Sequence, residues 1–313
     1  MGKTMFMFPG QGAQYTGMGK PLYDEYEKAL EIFDIASKVT GLDIPALCFE
    51  ENDRLNITEY TQIAMLTVEA AIYAVMEEKG LKCDYTAGLS LGEYGALITA
   101  GVLSYEDAFK VVRKRGIFMQ EAVPTGGAMA AVLGLDAASI EKICRGTEGY
   151  VDIANYNCPG QIVITGEEAA VNKASEALKE AGAKRVVPLN VSGPFHSRML
   201  EPAGERLGKV IDETSINEVR VPYVANTTAE LVTKTVNIRD LLVKQISSSV
   251  RWQQTIELMI QEGVDTFVEI GPGKTLTGFM KKITKAMATD GNEPQVTTYH
   301  IETPEELEAY VNR

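Results

Sequence analysis

Strand-like and helix-like segments alternate along almost the whole of this 313-residue chain, and that alternation limits its fold more than any other feature. Short apolar runs typical of strands cover residues 4–8, 85–87, 221–225 and 266–270, and helical spacing of apolar residues covers 23–38, 62–79, 105–122, 200–212, 238–246 and 252–262. Strands that alternate with helices in this way are typical of a parallel sheet covered by helices. We therefore predict an α/β fold.

The pattern changes after Gly126 and Gly127. Strand-like and helix-like runs then follow each other over residues 128–133, 137–145, 151–155, 161–165, 167–181 and 184–189. Their order is βαββαβ, which is typical of a ferredoxin-like unit. We predict that residues 126–194 form an inserted subdomain, and that residues 1–125 and 195–313 together form the core.

Composition excludes several classes of protein. The formal net charge of −13 disfavours binding to nucleic acid or to an anionic membrane. The N-terminal apolar run is too short for a signal peptide, and no run approaches the length of a transmembrane helix. Four widely spaced cysteines and two histidines make a zinc site improbable and indicate buried, reduced thiols, so we expect a cytoplasmic protein without a metal.

The stretch from Gly88 to Gly92 reads G-x-S-x-G and lies where a short strand meets a helix. Glycines at those positions permit a sharp turn that exposes the hydroxyl of Ser90. The same turn points N–H groups of the new helix toward the place where an oxyanion would form. A serine nucleophile is one interpretation, and an ordinary glycine-rich turn is the other.

A serine nucleophile needs a base within hydrogen-bonding distance, and the chain has only His196 and His300 to offer. His300 lies in a short strand near the C-terminus, where a surface histidine is the ordinary interpretation. His196 lies in a Gly-Pro turn that opens a helix, and catalytic groups are usually mounted on such turns. We favour His196. No carboxylate is marked by its position as a third member, so a serine–histidine dyad is favoured over a triad.

Two further glycine-rich turns carry weaker signals. The turn from Gly10 to Gln14 does not match the dinucleotide-binding pattern, because that pattern requires glycine where the chain has Tyr15. Two interpretations stay open: the turn supplies one N–H group of an oxyanion hole, or it is an ordinary loop between a strand and a helix. The turn at residues 271–275 resembles the end of a P-loop, but its first required glycine is replaced by Val268. A phosphate contact by Lys274 stays open.

The basic run Arg113-Lys114-Arg115 lies inside a predicted helix. Such a run is usually a solvated face. An arginine that points inward would differ, because its planar guanidinium can bind a carboxylate through two parallel hydrogen bonds.

Together these segments resemble one family, the malonyl-CoA:acyl carrier protein transacylases of fatty acid synthesis. The matching segments span nearly the whole chain in the family's order, and they cover residues 8–14, 88–94, 115–120, 191–197, 226–228, 250–252 and 269–273. The resemblance implies an α/β-hydrolase-like core with a ferredoxin-like insert. It also implies transfer of a malonyl group from malonyl-CoA to acyl carrier protein, with no cofactor.

The same resemblance implies roles for individual residues. Ser90 would be the acylated nucleophile and His196 its base, with the main-chain carbonyl of Gln245 orienting the histidine ring. The backbone N–H groups of Gln11 and Leu91 would form the oxyanion hole.

Acyl selection is implied in the same way. Arg115 would pair with the free carboxylate of the malonyl group, and Phe195 would suit an unbranched malonyl group. The chain departs from the family at Leu89, where the family usually has histidine, and we expect this to change the polarity of the pocket.

Acyl carrier proteins of this kind are acidic, as this chain is, so docking requires a local basic patch. We predict that Lys184, Arg185, Lys281 and Lys282 form that patch, and that the enzyme is a monomer. Two rival functions stay open from the sequence. A serine hydrolase or thioesterase would share the turn and the base, and a non-catalytic acyl-binding protein would form no covalent intermediate.

Overall fold

The structure is a computed structural model, and it describes residues 2–313. Its strands are β1 (Lys3–Phe8), β2 (Tyr85–Gly88), β3 (Gly127–Leu133), β4 (Val151–Cys158), β5 (Gln161–Glu167), β6 (Arg185–Pro188), β7 (Tyr223–Val224), β8 (Leu231–Val232), β9 (Val264–Ile270) and β10 (Thr297–Ile301). Its helices are α1 (Lys20–Glu25), α2 (Glu27–Thr40), α3 (Ile44–Phe49), α4 (Thr58–Glu78), α5 (Glu93–Thr99), α6 (Tyr105–Ala122), α7 (Ala137–Gly146), α8 (Glu168–Glu180), α9 (Glu201–Asp212), α10 (Ile238–Gln245), α11 (Trp252–Gln261), α12 (Thr275–Ala286) and α13 (Pro304–Val311).

The larger sheet has the strand order β10-β9-β1-β2-β7-β8 within the described residues. All neighbouring pairs are parallel except β7 and β8, which pair in antiparallel fashion at one edge. Both faces of this sheet are covered. On β1, Phe6 and Phe8 pack into one apolar cluster, while Met5 and Met7 pack into another on the opposite face, because successive side chains of a strand alternate in direction. The predicted α/β fold with a parallel sheet is therefore confirmed.

The smaller sheet is antiparallel and has the strand order β4-β5-β3-β6. Helices α7 and α8 cover one of its faces, where Ile140, Val171 and Leu178 pack with residues of the strands. The other face turns toward the larger sheet, since Met129 and Val163 belong to the apolar cluster that contains Phe6 and Phe8. The elements in this part of the chain follow one another as βαββαβ.

Several details differ from the sequence prediction. The helix predicted over 23–38 is two helices, because Tyr26 between them is extended, with φ −115° and ψ 119°. The helix predicted from residue 62 begins at Thr58, one turn earlier. Helices α3 and α12 and strand β8 were not predicted; α3 and β8 are short, whereas α12 has 12 residues. Within residues 2–313, no helix combines the length and apolar character needed to cross a membrane.

Candidate active site

Ser90 lies on a strained turn between β2 and α5. Its φ is 54°, a left-handed conformation that is uncommon for a residue with a side chain. The flanking glycines make the turn possible, because a Cβ on Gly88 would overlap Gly92, and a Cβ on Gly92 would overlap the carbonyl of Phe8. The turn thus depends on close packing between the ends of β1 and β2, and it lifts the serine hydroxyl out of the sheet.

Ser90 and His196 are hydrogen-bonded to each other. The distance between Ser90 Oγ and His196 Nε2 is 2.7 Å, and His196 Nδ1 lies 2.8 Å from the main-chain oxygen of Gln245. A carbonyl oxygen can only accept, so Nδ1 carries the proton and Nε2 is left to accept from the serine hydroxyl. His196 also has a left-handed φ of 58°, so both partners are held on constrained turns.

The imidazole of His196 lies in an environment that favours its neutral form. The residue is 5% exposed, and burial together with the nearby charge of Arg115 lowers the pKa of His196 to about 4. The hydrogen bond to the Gln245 carbonyl opposes this shift. At neutral pH the ring is therefore an unprotonated acceptor beside a hydroxyl, which is the state a general base needs.

Arg115 points into the protein and not toward solvent. Its neighbour Lys114 is exposed, whereas Arg115 has no exposed surface. Burial lowers the pKa of the Arg115 guanidinium. Nη1 donates to Gln62 Oε1 at 2.7 Å, and Nη2 donates to Ser90 Oγ at 3.1 Å and to Gln245 Oε1 at 3.0 Å. Because arginine keeps its charge in proteins, this is a buried cation held by neutral partners.

No carboxylate of the described residues forms an ion pair with Arg115, and its Nε–H has no acceptor there. A buried charge without a countercharge is costly unless a ligand supplies one. The guanidinium, in direct contact with the serine hydroxyl, therefore provides a place for an anionic group beside Ser90 Oγ.

Gln11 and Leu91 approach the site from two adjacent turns. A Cβ on Gly10 would lie 2.7 Å from the carbonyl oxygen of Leu89, so the turn after β1 lies directly against the turn after β2. Leu91 is inside the first helical turn after Ser90, where backbone N–H groups lack intrahelical partners. Within residues 2–313, neither the Leu91 N–H nor the Gln11 N–H finds an acceptor. Both residues line the same cavity as Ser90.

That cavity has a volume of about 260 Å³ and lies between the two sheets. Ser90, His196 and Arg115 line one side of it, and Met119, Phe195 and residues of the smaller sheet form an apolar part. Leu89, which departs from the family pattern, also lines it and adds apolar surface. Its volume suits a small acyl group, and Thr275, Leu276 and Phe279 of α12 also line it.

Three polar residues of the site carried no sequence prediction of their own: Gln62, Glu93 and Asn226. Asn226 holds the turn, because its Oδ1 accepts from the N–H of Ser90 at 2.7 Å and its Nδ2 donates to the carbonyl of Gly88 at 2.7 Å. Glu93 is buried and accepts from the side-chain amide of Gln245 at 2.7 Å. Asn226 and Glu93 both lie in segments that carried the family resemblance, which is the signal that could have identified them.

The second histidine is elsewhere and is not a surface residue. His300 is on the edge strand β10, as expected from its sequence, but its side chain is only 5% exposed. Its ring contacts the carbonyl of Gly271 at 3.1 Å and Glu306 at 3.2 Å. Packing of α13 beside this strand explains the burial. Lys274, the residue considered for phosphate contact, forms an ion pair with Glu306 at 3.0 Å.

The four basic residues predicted for carrier docking are all exposed. Lys184 lies against Gly134, whose N–H donates to the carbonyl of Gly160, and Lys282 donates to the neighbouring Gln161 at 3.2 Å. Gln161 lines the cavity, so Lys282, one of the four residues, contacts a residue of the cavity lining. Of the four cysteines, none of which forms a disulfide in the described chain, Cys83 is partly exposed and not buried as predicted, because it precedes β2 at the protein surface.

Comparison with known proteins identifies the class. The family model described as an acyl transferase domain matches residues 5–309, and the chain belongs to this acyltransferase family. It is 46% identical over 312 residues to a malonyl CoA-acyl carrier protein transacylase of Bacillus subtilis (strain 168), with 98% of each chain covered. Within the family the chain thus belongs with the malonyl CoA-acyl carrier protein transacylases, which confirms the resemblance found in the sequence.

Solved structures agree. A crystal structure of malonyl CoA-acyl carrier protein transacylase from Clostridium perfringens is 44% identical and superposes with a TM-score of 0.92, covering 99% of this chain and 96% of that one. Another similar structure, 37% identical with a TM-score of 0.93 and 99% coverage of both chains, is a type II PKS acyl-carrier protein in complex with its malonyl-transacylase. Within the described residues, no group of three or more His, Cys, Asp or Glu side chains could hold a metal ion.

Proposed function

We propose that this protein transfers the malonyl group of malonyl-CoA to the phosphopantetheine thiol of acyl carrier protein, through a malonyl-serine intermediate on Ser90, and so supplies fatty acid chain elongation. The observation that carries the proposal is Arg115, a buried cation without a carboxylate partner, 3.1 Å from Ser90 Oγ. A simple hydrolase has no need of such a group, whereas a malonyl thioester brings the missing carboxylate.

In the first half-reaction, Ser90 Oγ attacks the thioester carbonyl while His196 Nε2 takes the hydroxyl proton. The backbone N–H groups of Gln11 and Leu91 stabilise the tetrahedral oxyanion, a contribution for which loss of one donor typically costs about 3 kcal/mol. The carbon–sulfur bond then breaks, and the proton on His196 passes to the departing CoA thiolate. The malonyl group remains on Ser90 as an ester.

The second half-reaction reverses these roles. His196 takes the proton of the phosphopantetheine thiol, and the thiolate attacks the ester carbonyl. The carbon–oxygen bond to Ser90 breaks, and the proton returns from His196 to Ser90 Oγ. The sequence of steps is a ping-pong acyl transfer by a serine–histidine dyad, with the Gln245 carbonyl in the place of a third carboxylate. It uses no cofactor.

Arg115 selects the acyl group. Nη2 already lies beside Ser90 Oγ, and Nε–H is left without an acceptor in the described chain, so the guanidinium can donate two hydrogen bonds to the malonyl carboxylate. This contact anchors the acyl chain at its far end and leaves its carbonyl at the serine. An acetyl group lacks the carboxylate and gains nothing from Arg115.

The two-sheet architecture fits this chemistry. We assign residues 1–125 and 195–313 to an α/β-hydrolase-like core and residues 126–194 to a ferredoxin-like insert. The parallel sheet with a serine turn after one of its strands supports the first assignment, and the βαββαβ order with strand order β4-β5-β3-β6 supports the second. The cavity between them is open to a substrate that carries a long pantetheine arm. A monomer in the cytoplasm remains the expected form of the enzyme.

Carrier docking is assigned to Lys184, Arg185, Lys281 and Lys282. Both this chain and such carriers are acidic, so attraction requires a local excess of positive charge at the mouth of the cavity. The hydrogen bond of Lys282 to Gln161, which lines the cavity, supports this assignment.

Charge reversal tests the docking assignment. Replacing the four residues by glutamate is expected to raise KM for acyl carrier protein and to leave KM for malonyl-CoA unchanged. Lys38→Glu and Lys209→Glu, at exposed positions on helices that do not line the cavity, are the matched controls. An unchanged KM for the carrier would remove the four residues from the docking surface.

The function itself is tested by the intact mass of the protein after brief mixing with malonyl-CoA. We expect a gain of one malonyl group that disappears when acyl carrier protein is added, and no gain for Ser90→Ala. A gain that decays equally fast in buffer alone would indicate a hydrolase. A gain that persists in Ser90→Ala would refute the assignment of the nucleophile, and no gain in the wild type would refute the transferase.

A further inference from the structure

Gln245 links four parts of the active site, three through its side-chain amide and one through its main-chain oxygen. Its Nε2 donates to the main-chain oxygen of Ser90 at 2.8 Å and to Glu93 Oε2 at 2.7 Å, which uses both of its hydrogens. Its Oε1 accepts from Arg115 Nη2 at 3.0 Å. The main-chain oxygen of the same residue accepts from His196. The orientation of this amide therefore decides whether Arg115 meets an acceptor or a donor.

Glu93 holds the Gln245 amide by accepting a hydrogen bond from its nitrogen. It is the first residue of α5, three positions after Ser90, and it is 1% exposed. The same oxygen, Oε2, accepts from Gln245 Nε2 and from the N–H of Asn226 at 3.3 Å. No other side chain of the described residues offers the amide nitrogen so short a bond, since its contact with Asn226 Oδ1 is 3.5 Å.

Gln245 also separates two opposite charges. The carboxyl group of Glu93 and the guanidinium of Arg115 both contact the amide of Gln245, but they form no ion pair with each other within residues 2–313. A direct pair would neutralise Arg115 and occupy the donors that a substrate carboxylate needs. With the amide between them, the acid fixes the position of the guanidinium and leaves its charge available.

We propose that Glu93 is a positioning residue for acyl selection, which holds the Gln245 amide with its oxygen toward Arg115 so that the guanidinium is fixed for a malonyl carboxylate. This inference rests on the proposed function. The role requires an acceptor oxygen at position 93 and not a negative charge. Burial raises the pKa of Glu93 to about 7, and its protonated form keeps a carbonyl oxygen that can accept from the amide.

The experiment measures kcat/KM for malonyl-CoA and for acetyl-CoA and compares their ratio between variants. Glu93→Met removes the acceptor and keeps the approximate volume, so we expect the malonyl-to-acetyl ratio to fall about tenfold, the order of magnitude expected for the loss of one net intramolecular hydrogen bond. Glu93→Gln keeps an acceptor oxygen and should retain most of the ratio. Should Glu93→Met not fold, Glu93→Asp, which withdraws the carboxylate by one methylene, makes the same test.

Glu69 provides the matched control. It is also fully buried and also lies near the glycine-rich turns, but its carboxyl oxygens contact no polar group of the described chain. Glu69→Met and Glu69→Gln are expected to change stability and both acyl activities in parallel, with the ratio unchanged. A parallel loss in Glu93→Met as well would assign Glu93 a structural role and overturn the proposal.

A double-mutant cycle with Gln245→Met tests whether Glu93 acts through the Gln245 amide. Gln245→Met keeps the carbonyl that His196 uses and removes the amide, so it should lower the malonyl-to-acetyl ratio by itself. In that background Glu93→Met should lower the ratio no further, whereas additive losses would show that Glu93 does not act through Gln245 and would overturn the proposal. A wild type without malonyl preference would refute the proposed function itself, which is a different result from a preference that Glu93→Met leaves intact.

Discussion

Replacing Arg115 by alanine should separate malonyl transfer from acetyl transfer. In the proposed complex the guanidinium donates two hydrogen bonds to the malonyl carboxylate, and hydrogen bonds to charged groups are worth about 1.5–3 kcal/mol each. Their joint loss of about 3–6 kcal/mol corresponds to a fall of roughly two to four orders of magnitude in kcat/KM for malonyl-CoA. Acetyl-CoA makes neither bond, so its kcat/KM should stay the same or rise.

The substitution also has a structural cost, which the assay must separate from the first effect. Arg115→Ala leaves Gln62 Oε1 and Gln245 Oε1 without their donor, and each unsatisfied oxygen costs about 1–3 kcal/mol if no water reaches it. This cost falls on both acyl substrates alike. The malonyl-to-acetyl ratio therefore isolates the contact with the carboxylate, while thermal unfolding reports the structural part.

Arg113→Ala is the control on the same helix. Arg113 is partly exposed and pairs with Glu59 at 2.9 Å, away from the cavity, so its removal should change neither kcat/KM. An equal loss of malonyl and acetyl activity in Arg115→Ala would refute the reasoning. Arg115 would then support the serine turn and take no part in selecting the acyl group.

Two further predictions follow from the buried titratable groups. The lowered pKa of His196, about 4, should keep kcat/KM for malonyl-CoA free of a histidine step near pH 6.5, and a tenfold loss between pH 7 and 5.5 would contradict this. Burial raises the pKa of Glu93 in the folded protein to about 7. The stability that this shift contributes is therefore fully present below the pKa of the unfolded state and is lost as the pH rises through the folded-state pKa of about 7. The free energy of unfolding of the wild type, measured in denaturant against that of Glu93→Gln, should fall by about 3 kcal/mol between pH 4.5 and 8, and a constant difference would refute the shift.

The local features of the fold could be predicted from the sequence. The strand–turn–helix at Ser90 is encoded by glycines that lie within a few residues of each other, and the same is true of the turn after β1. Helix α6 was predicted at its observed bounds from its apolar spacing, and in the structure Ser104 caps its start. The break at Tyr26 carried no such signal, since neither glycine nor proline interrupts the apolar spacing there.

The polar contacts of the site could not be predicted in the same way. Asn226 and Ser90 are 136 residues apart, and Glu93 and Gln245 are 152 apart, so their meeting depends on how distant elements pack. Burial of His300 depends likewise on α13, which lies beside its strand. The sequence predicted a dyad only because no carboxylate was marked by its position. It gave no indication that the buried Glu93 is separated in space from Arg115 by the side chain of Gln245 alone.

The nearby charge of Arg115 explains why a main-chain carbonyl, and not a carboxylate, accepts the hydrogen bond from His196 Nδ1. In serine enzymes that use a third acid, that acid stabilises the imidazolium during the reaction. Here Arg115 lies close enough to His196 to lower its pKa, so an acid at Nδ1 would also lie near the guanidinium and would oppose the entry of a malonyl carboxylate. A main-chain carbonyl orients the ring without carrying a charge, and the Gln245 amide keeps the one nearby acid out of contact with Arg115. In the proposed mechanism, selection of an anionic acyl group and the choice of a neutral partner for His196 are thus consequences of the same electrostatic requirement.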